Sequence, residues 1–345
     1  MTEQTGDITW HNARECGVNG RGWDDTRTPY ERLPARAAGV VREIVWTLSL
    51  APTGLTVRFA TDAETIRLRW QMAAPIEHPY KFAPVMRSGF DLYGYDRVTG
   101  RWRWVDIPDE QNDRSGETQL CAGLDGQLRL YELYLPLFTP LEAFDIGIPS
   151  SAAFGAIPRR PEQPIVYYGT SIVNGAGASR PGMCLTSILS RRVNLPVINL
   201  GFSGNAHMEP ELAPFLAELD PCVFVVDALP NMGRELVEEN AEHFLRTLRA
   251  ARPETPILVL EDRTWTNAWI RPAMREMHEE KRKALRGIIE TLRRDGMRGL
   301  TTIDGEMLFG TDDEGTVDGS HPTDLGAYRM IDVIEPVVRT ILGRF

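Results

Sequence analysis

The stretch "DGSHPTDLG" at 318–326 sets Asp318 three residues before His321 in a turn punctuated by glycine and proline. A carboxylate beside an imidazole fixes its tautomer and stabilises the imidazolium, and an imidazole so held can take the proton of a serine hydroxyl. Serine needs that help, because its hydroxyl is a weak nucleophile until a neighbouring base activates it. The chain offers such a serine in "YYGTSIVNGAG" at 167–177, where Ser171 follows a short apolar run in a Gly-flanked turn. Acyl transfer also needs preorganised donors for the developing oxyanion. "NLGFSGNAH" at 199–207 brings the backbone amide of Gly204, and "DALPNM" at 227–232 brings the Asn231 side chain. The amide of Ser171 itself would be the third donor. Each residue alone has a plainer use: a helix-capping serine, a turn asparagine, a turn glycine, a solvated Asp and His. Together they are the parts of a Ser171–His321–Asp318 triad with an oxyanion hole of Ser171, Gly204 and Asn231.

Four loops can cooperate only if one scaffold delivers them to the same edge. Short, continuous apolar runs at 165–168, 197–200, 223–229, 257–260 and 300–303 are each followed by a longer amphipathic segment. That alternation predicts a parallel sheet covered by helices on both faces, with ligands bound at the carboxyl ends of its strands. The last helix is expected from Asp324, with Ala327, Met330, Ile331, Ile334, Val338 and Ile341 on its apolar face and a kink or break at Pro336. Before this, from 40 to 145, the pattern has period two: "VVREIVWTLSL", "LTVRFATD", "TIRLRWQM", "RWRWVDI" and "QLRLYELYLPL" read as strands of an antiparallel β-sandwich. The Pro-, Gly- and Ser-rich stretch 146–164 marks the boundary. The expected division is a β-sandwich domain over 1–150, a linker over 151–164 and an α/β domain over 165–345.

The formal charge of −10 over 345 residues makes nucleic acid and anionic membranes poor partners, since a net acidic surface repels polyanions. Lysine occurs only at Lys81, Lys281 and Lys283, so the basic residues are almost all arginine, a compositional bias. Cys16, Cys121, Cys184 and Cys222 lie far apart with no C-x-x-C pair, which suggests reduced thiols. No cluster of metal ligands is visible and no cofactor is expected. The opening "MTEQTGDITWHN" has acids and no apolar core, and no run approaches the length of a membrane span, so a cytoplasmic location is expected.

In order and spacing, "GTSI", "GFSG", "LPN" and "DGSH" resemble the four blocks of the SGNH (GDSL-type) esterase superfamily, over roughly residue 165 to the C-terminus. "SGFDLYGYD" at 88–96 is similar to the G-x-D-L-Y signature of a β-sandwich domain found in front of a bacterial subgroup of these hydrolases. The resemblance implies a flavodoxin-like three-layer α/β/α domain preceded by an antiparallel, jelly-roll-like β-sandwich. Two positions depart from the pattern. Thr170 stands where the family name implies Asp, and Met232 follows Asn231 where the usual block is G-x-N-D.

The expected activity is hydrolysis of small O-acyl esters, acetyl first, on a saccharide or glycoside. Candidate substrate contacts are His207 on the second loop and the two tryptophans of "EDRTWTNAWIRP", Trp265 and Trp269, which could equally be core. The segment 19–34 could also line the pocket. The alternatives are a lysophospholipase or thioesterase, and a carbohydrate-binding protein whose hydrolase site is vestigial. Partners are then a small ester, with room for a homo-oligomer.

Overall fold

The computed structural model describes residues 7–73, 82–109 and 114–343. The first six residues of the opening stretch lie outside them. The period-two runs other than "VVREIVWTLSL" supply strands of two antiparallel sheets. One has the spatial order β1 (Ile8–Asn12), β9 (Leu141–Pro149), β4 (Thr65–Met72) and β7 (Ser115–Ala122). The other runs β10 (Phe154–Ala156), β3 (Thr56–Thr61), β8 (Arg129–Tyr134), β5 (Asp91–Asp96) and β6 (Arg101–Asp106), with β2 (Val18–Asn19) also paired to β3. In β4 the residues Ile66, Leu68, Trp70 and Met72 are buried and those between them are not. These and the matching positions of the other sheet, among them Phe59, Phe90 and Leu133, fill one core, as face-to-face sheets require.

The continuous apolar runs form a five-stranded parallel sheet: β11 (Ile165–Gly169), β12 (Val197–Gly201), β13 (Val223–Asp227), β14 (Ile257–Leu260) and β15 (Leu300–Ile303). Their spatial order is β12-β11-β13-β14-β15, the doubly wound, flavodoxin-like order. Both faces are covered. Ile165, Tyr167, Val223 and Val225 pack with α3 (Ser171–Asn174), α4 (Leu185–Val193) and α8 (Asp324–Ile341). Val166, Tyr168, Phe224 and Val226 pack with α5 (Ala213–Glu218), α6 (Arg234–Ala251) and α7 (Pro272–Arg294).

Three local expectations come out differently. "VVREIVWTLSL" holds the helix α1 (Glu43–Ser49), because its buried positions Val41, Val45 and Ser49 are spaced by four and Val41 and Val45 pack on the α/β layer with Trp23 and Leu33. The segment expected as linker contains β10, which pairs with β3. Pro336 lies inside α8 without ending it. Pro336 and Asp332, the residue whose carbonyl loses its donor, are both on the exposed side, where water can replace the missing bond.

The "FDLY" motif explains how the two halves hold together. Asp91 is fully buried, and its Oδ2 accepts from Arg180 Nη1 at 2.6 Å and from the Gly182 amide at 2.7 Å, both on the loop that follows α3. Tyr93 Oη accepts from the same guanidinium at 2.8 Å, and Trp104 Nε1 donates to Asp91 Oδ1 at 3.1 Å. Burial raises the Asp91 pKa even with Arg180 beside it, so the carboxylate depends on that cation. A Cβ at residue 182 would stand 2.5 Å from the Tyr93 ring, so the close approach requires glycine. Asp91→Ala is expected to destabilise the protein by about 3 kcal/mol, the low end for a broken buried pair because Arg180 is partly solvated. The urea midpoint of full-length Asp91→Ala measures this; an unshifted midpoint would show that the pair does not tie the halves.

Candidate active site

Ser171 opens α3, a single turn capped at both ends. Thr170 is the N-cap, its Oγ1 accepting from the Ile172 amide at 3.3 Å. Gly175 closes the turn at φ +94°, a left-handed conformation that favours glycine. The Ser171 side chain thus leaves the carboxyl end of β11 at a fixed angle, 6% exposed.

His321 meets it from the far end of the chain. Ser171 Oγ lies 2.8 Å from His321 Nε2, and His321 Nδ1 lies 2.8 Å from Asp318 Oδ2. A carboxylate only accepts, so Nδ1–H donates to Asp318 and Nε2 is left to accept from the serine hydroxyl. The other oxygen of Asp318 accepts from the amides of Ser320 at 3.1 Å and His321 at 2.9 Å, which pins the carboxylate to its own turn. That turn is braced in two ways. Val317 and His321 are joined by a backbone bond of 2.8 Å, and the Thr266 amide, from the loop after β14, donates to the Gly319 carbonyl at 3.0 Å. Phe82, from the N-terminal half, sets its ring edge-on to His321 at 6.1 Å between centroids. Nothing in its sequence surroundings marks it out.

Asn231 follows β13, and its Oδ1 accepts from the Ala206 amide at 3.3 Å. The Nδ2 hydrogens make no bond among the described residues, so they are available to an oxyanion. Gly204 is exposed on the same loop as Ala206, at φ +71°. His207 is half-buried; burial lowers its pKa, and the positive charge of Arg42 adds to this, so the neutral ring is favoured. Trp265 is half-buried and packs against His278 at 6.0 Å, whereas Trp269 is 70% exposed. Both line a hollow of about 180 Å³ with Thr264, Thr266, Arg275 and Glu306. From the segment 19–34, Arg32 reaches the end of β12, donating to the carbonyls of Asn199 and Gly201. Among the described residues no group of three or more His, Cys, Asp or Glu side chains could hold a metal ion, and no helix is long and apolar enough to cross a membrane.

Residues 162–339 match the model of the GDSL-like lipase/acylhydrolase family, and residues 8–154 match that of the N-terminus of SGNH-hydrolase-type esterases. A Bacteroides ovatus protein assigned as a GDSL-like lipase is 31% identical, with a TM-score of 0.93 over 98% of each chain. A salicylyl-acyltransferase from a tetracycline biosynthetic pathway shares the fold at 17% identity and a TM-score of 0.72, covering 99% of this chain and 97% of that one. A family two carbohydrate esterase from Clostridium thermocellum does so at 13% identity and a TM-score of 0.62, covering 84% and 93%. A search of the curated proteins returns no match.

The Ser171–His321 contact makes a chemical prediction. A fluorophosphonate probe is expected to label the protein at Ser171, and labelling is expected to vanish in Ser171→Ala and to slow by orders of magnitude in His321→Ala. Peptide mapping reads the site; a label on another residue would remove Ser171 from the chemistry.

Proposed function

The chain belongs to the GDSL-like lipase/acylhydrolase family and is a carboxylic ester hydrolase, and we propose that it cleaves small O-acyl esters, acetyl first, on a saccharide or glycoside through an acyl-enzyme on Ser171. The observation that carries the mechanism is the unbroken Ser171–His321–Asp318 line at 2.8 Å and 2.8 Å. His321 Nε2 takes the hydroxyl proton as Ser171 Oγ attacks the ester carbonyl. Asp318 stabilises the imidazolium that results, and the same proton passes to the leaving alkoxide when the tetrahedral intermediate collapses. Water then repeats the sequence on the acyl-enzyme. The Asn231 Nδ2 hydrogens, with the Ser171 and Gly204 amides, receive the oxyanion in both halves.

The saccharide reading rests on the hollow formed by the loop after β14. It combines two indole rings with hydroxyl, guanidinium and carboxylate groups, which suits a ring that presents C–H groups on one face and hydroxyls at its edge. The loop that lines the hollow is tied to the Asp318–His321 turn by the Thr266–Gly319 bond. One observation favours a second reading, an acylhydrolase for longer chains. Ile270 is 63% exposed, and Val317 and Leu325, flanking the Asp318–His321 turn, are 45% and 47% exposed. These apolar groups could cover part of an acyl chain at about 0.8 kcal/mol per buried methylene.

Two measurements test these statements. Asn231→Ala is expected to lower kcat by about 10²–10³ with little change in KM, the usual loss of one oxyanion donor; an effect confined to KM would make Asn231 a substrate-binding residue instead. Acyl preference is read from kcat/KM on p-nitrophenyl acetate, butyrate and octanoate and on a peracetylated sugar. Acetyl esters are expected to lead, and an octanoate advantage of about tenfold, 1.4 kcal/mol of transition-state binding, would replace the saccharide reading with the lipid one.

A further inference from the structure

Two arginines from the N-terminal half grip the loop that carries Gly204, and neither belongs to the four blocks. Arg32 is buried with only carbonyl partners. Its Nη1 donates to Gly201 O at 2.8 Å and Asn199 O at 3.3 Å, and its Nε to Ala51 O at 2.9 Å. Burial brings its pKa down to about 9, and its guanidinium stands over the Phe202 ring at 5.2 Å. Arg32 therefore fixes where the loop begins.

Arg42 fixes the middle. Its Nη1 donates to Asn205 Oδ1 at 2.9 Å, its Nη2 to the Asn205 carbonyl at 2.7 Å, and its Nε to Glu209 Oε1 at 3.1 Å. Glu209 is in turn held by the Tyr168 hydroxyl at 3.1 Å, which also accepts from the Met208 amide at 2.9 Å. The peptide clamped at the Asn205 carbonyl is the one whose N–H is that of Ala206, and this N–H holds Asn231 Oδ1. The guanidinium thus grips Asn205 at its side chain and at the carbonyl of the peptide whose N–H faces the Asn231 amide.

We propose that Arg42 is a positioning residue for the oxyanion hole, acting through Asn205 and the Ala206 amide to keep the Asn231 Nδ2 hydrogens free for the developing charge. The proposal rests on the reading of Asn231 as an oxyanion donor. Arg42 touches no reacting atom, and its charge is already met by Glu209, so its contribution is geometric. Lysine keeps the charge but cannot reproduce the planar fork. A geometric role therefore predicts that Arg42→Lys fails nearly as badly as Arg42→Gln.

The test is a double-mutant cycle in the full-length protein on p-nitrophenyl acetate, using Arg42→Gln, Arg42→Lys, Asn205→Ala and Asn231→Ala. Arg42→Gln is expected to lower kcat by about tenfold at nearly constant KM, the scale of one charged hydrogen bond. The double variant Arg42→Gln/Asn231→Ala is expected to be no slower than Asn231→Ala alone, because both changes remove one interaction. Asn205→Ala, which removes the Oδ1 anchor and the Nδ2 bond to the Ser203 carbonyl but leaves the Arg42 bond to the Asn205 carbonyl, should show a smaller loss with the same non-additivity; it keeps the test open if Arg42→Gln does not fold. Multiplying losses in the double variants, wild-type kcat in Arg42→Lys, or a lowered urea midpoint with unchanged kcat would overturn the proposal. Asn231→Ala separates the two levels: a large loss there with a normal Arg42→Gln sinks only the positioning role, whereas wild-type kcat in Asn231→Ala sinks the oxyanion reading and the proposal with it.

Discussion

Strand β11 lies between β12 and β13, and the rest of the site follows from that placement. The three strands run parallel and in register, so that Gly169 stands beside Gly201 on one side and Asp227 on the other. Their chains leave the sheet at one level, and the loops bearing Ser171, Gly204 and Asn231 converge there, at the point where the strand order reverses. The convergence leaves no room for side chains. A Cβ at residue 169 would lie 2.6 Å from the Asp227 carbonyl oxygen, and one at 201 would lie 2.3 Å from the Asn174 amide nitrogen. Glycine at both positions is the condition for bringing β11, β12 and α3 so close.

Behind this edge the protein buries charge, at a cost in desolvation that hydrophobic side chains would not incur. Arg263 grips Asp227 at the end of β13 through two bonds of 2.9 Å and 2.6 Å, both side chains almost fully buried. Asp262 receives His278 and, at 2.7 Å, Lys281, whose ammonium also reaches the Leu229 carbonyl in the asparagine loop at 3.2 Å. Burial alone would raise the Asp262 carboxyl, yet these partners hold its pKa below the ordinary value. Such pairs add little net stability, but they fix direction. Asp227 ends one strand of the edge, and Lys281 ties α7 to the loop that carries Asn231. Apolar replacements could keep the fold while letting those loop ends drift.

How much of this is legible in the sequence depends on how local each signal is. The parallel strands are readable because a strand covered on both faces must be apolar throughout, as "IVYYG" and "VFVVD" are. The Ser171–His321–Asp318 hydrogen-bonded line is readable because each contributor sits in a short stretch whose glycines and prolines already mark a turn. α1 is not, since the apolar residues of "VVREIVWTLSL" suit either a strand or a helix until the surface that Val41 and Val45 meet is known. β10 is three residues long and owes its existence to the edge of β3. Arg32 and Arg42 are the least visible. Their partners on the Gly204 loop and the end of β12 lie more than 160 residues away and are mostly carbonyls, and in a chain whose basic residues are nearly all arginine two more attract no notice.

The departures at Thr170 and Met232 find their explanation in the same geometry. The residue before Ser171 must cap a one-turn helix, and Thr170 does so with its hydroxyl, so an aspartate there is not needed for the Ser171 angle. Met232 is 3% exposed and lies in the apolar cluster with Val237 and Ala241 of α6. A side chain in that position cannot offer a polar contact to Asn231. The task of orienting the amide falls instead to the Ala206 N–H, and that N–H is only as well placed as the peptide it belongs to. In this chain the peptide is fixed from outside the α/β layer, by a side chain of the N-terminal half. The same half ties down the loop after Ser171 through Asp91 and lays Phe82 against the imidazole of His321. All the candidate catalytic groups lie in the C-terminal half, and the N-terminal half bears on the edge through Arg32, Arg42, Asp91 and Phe82.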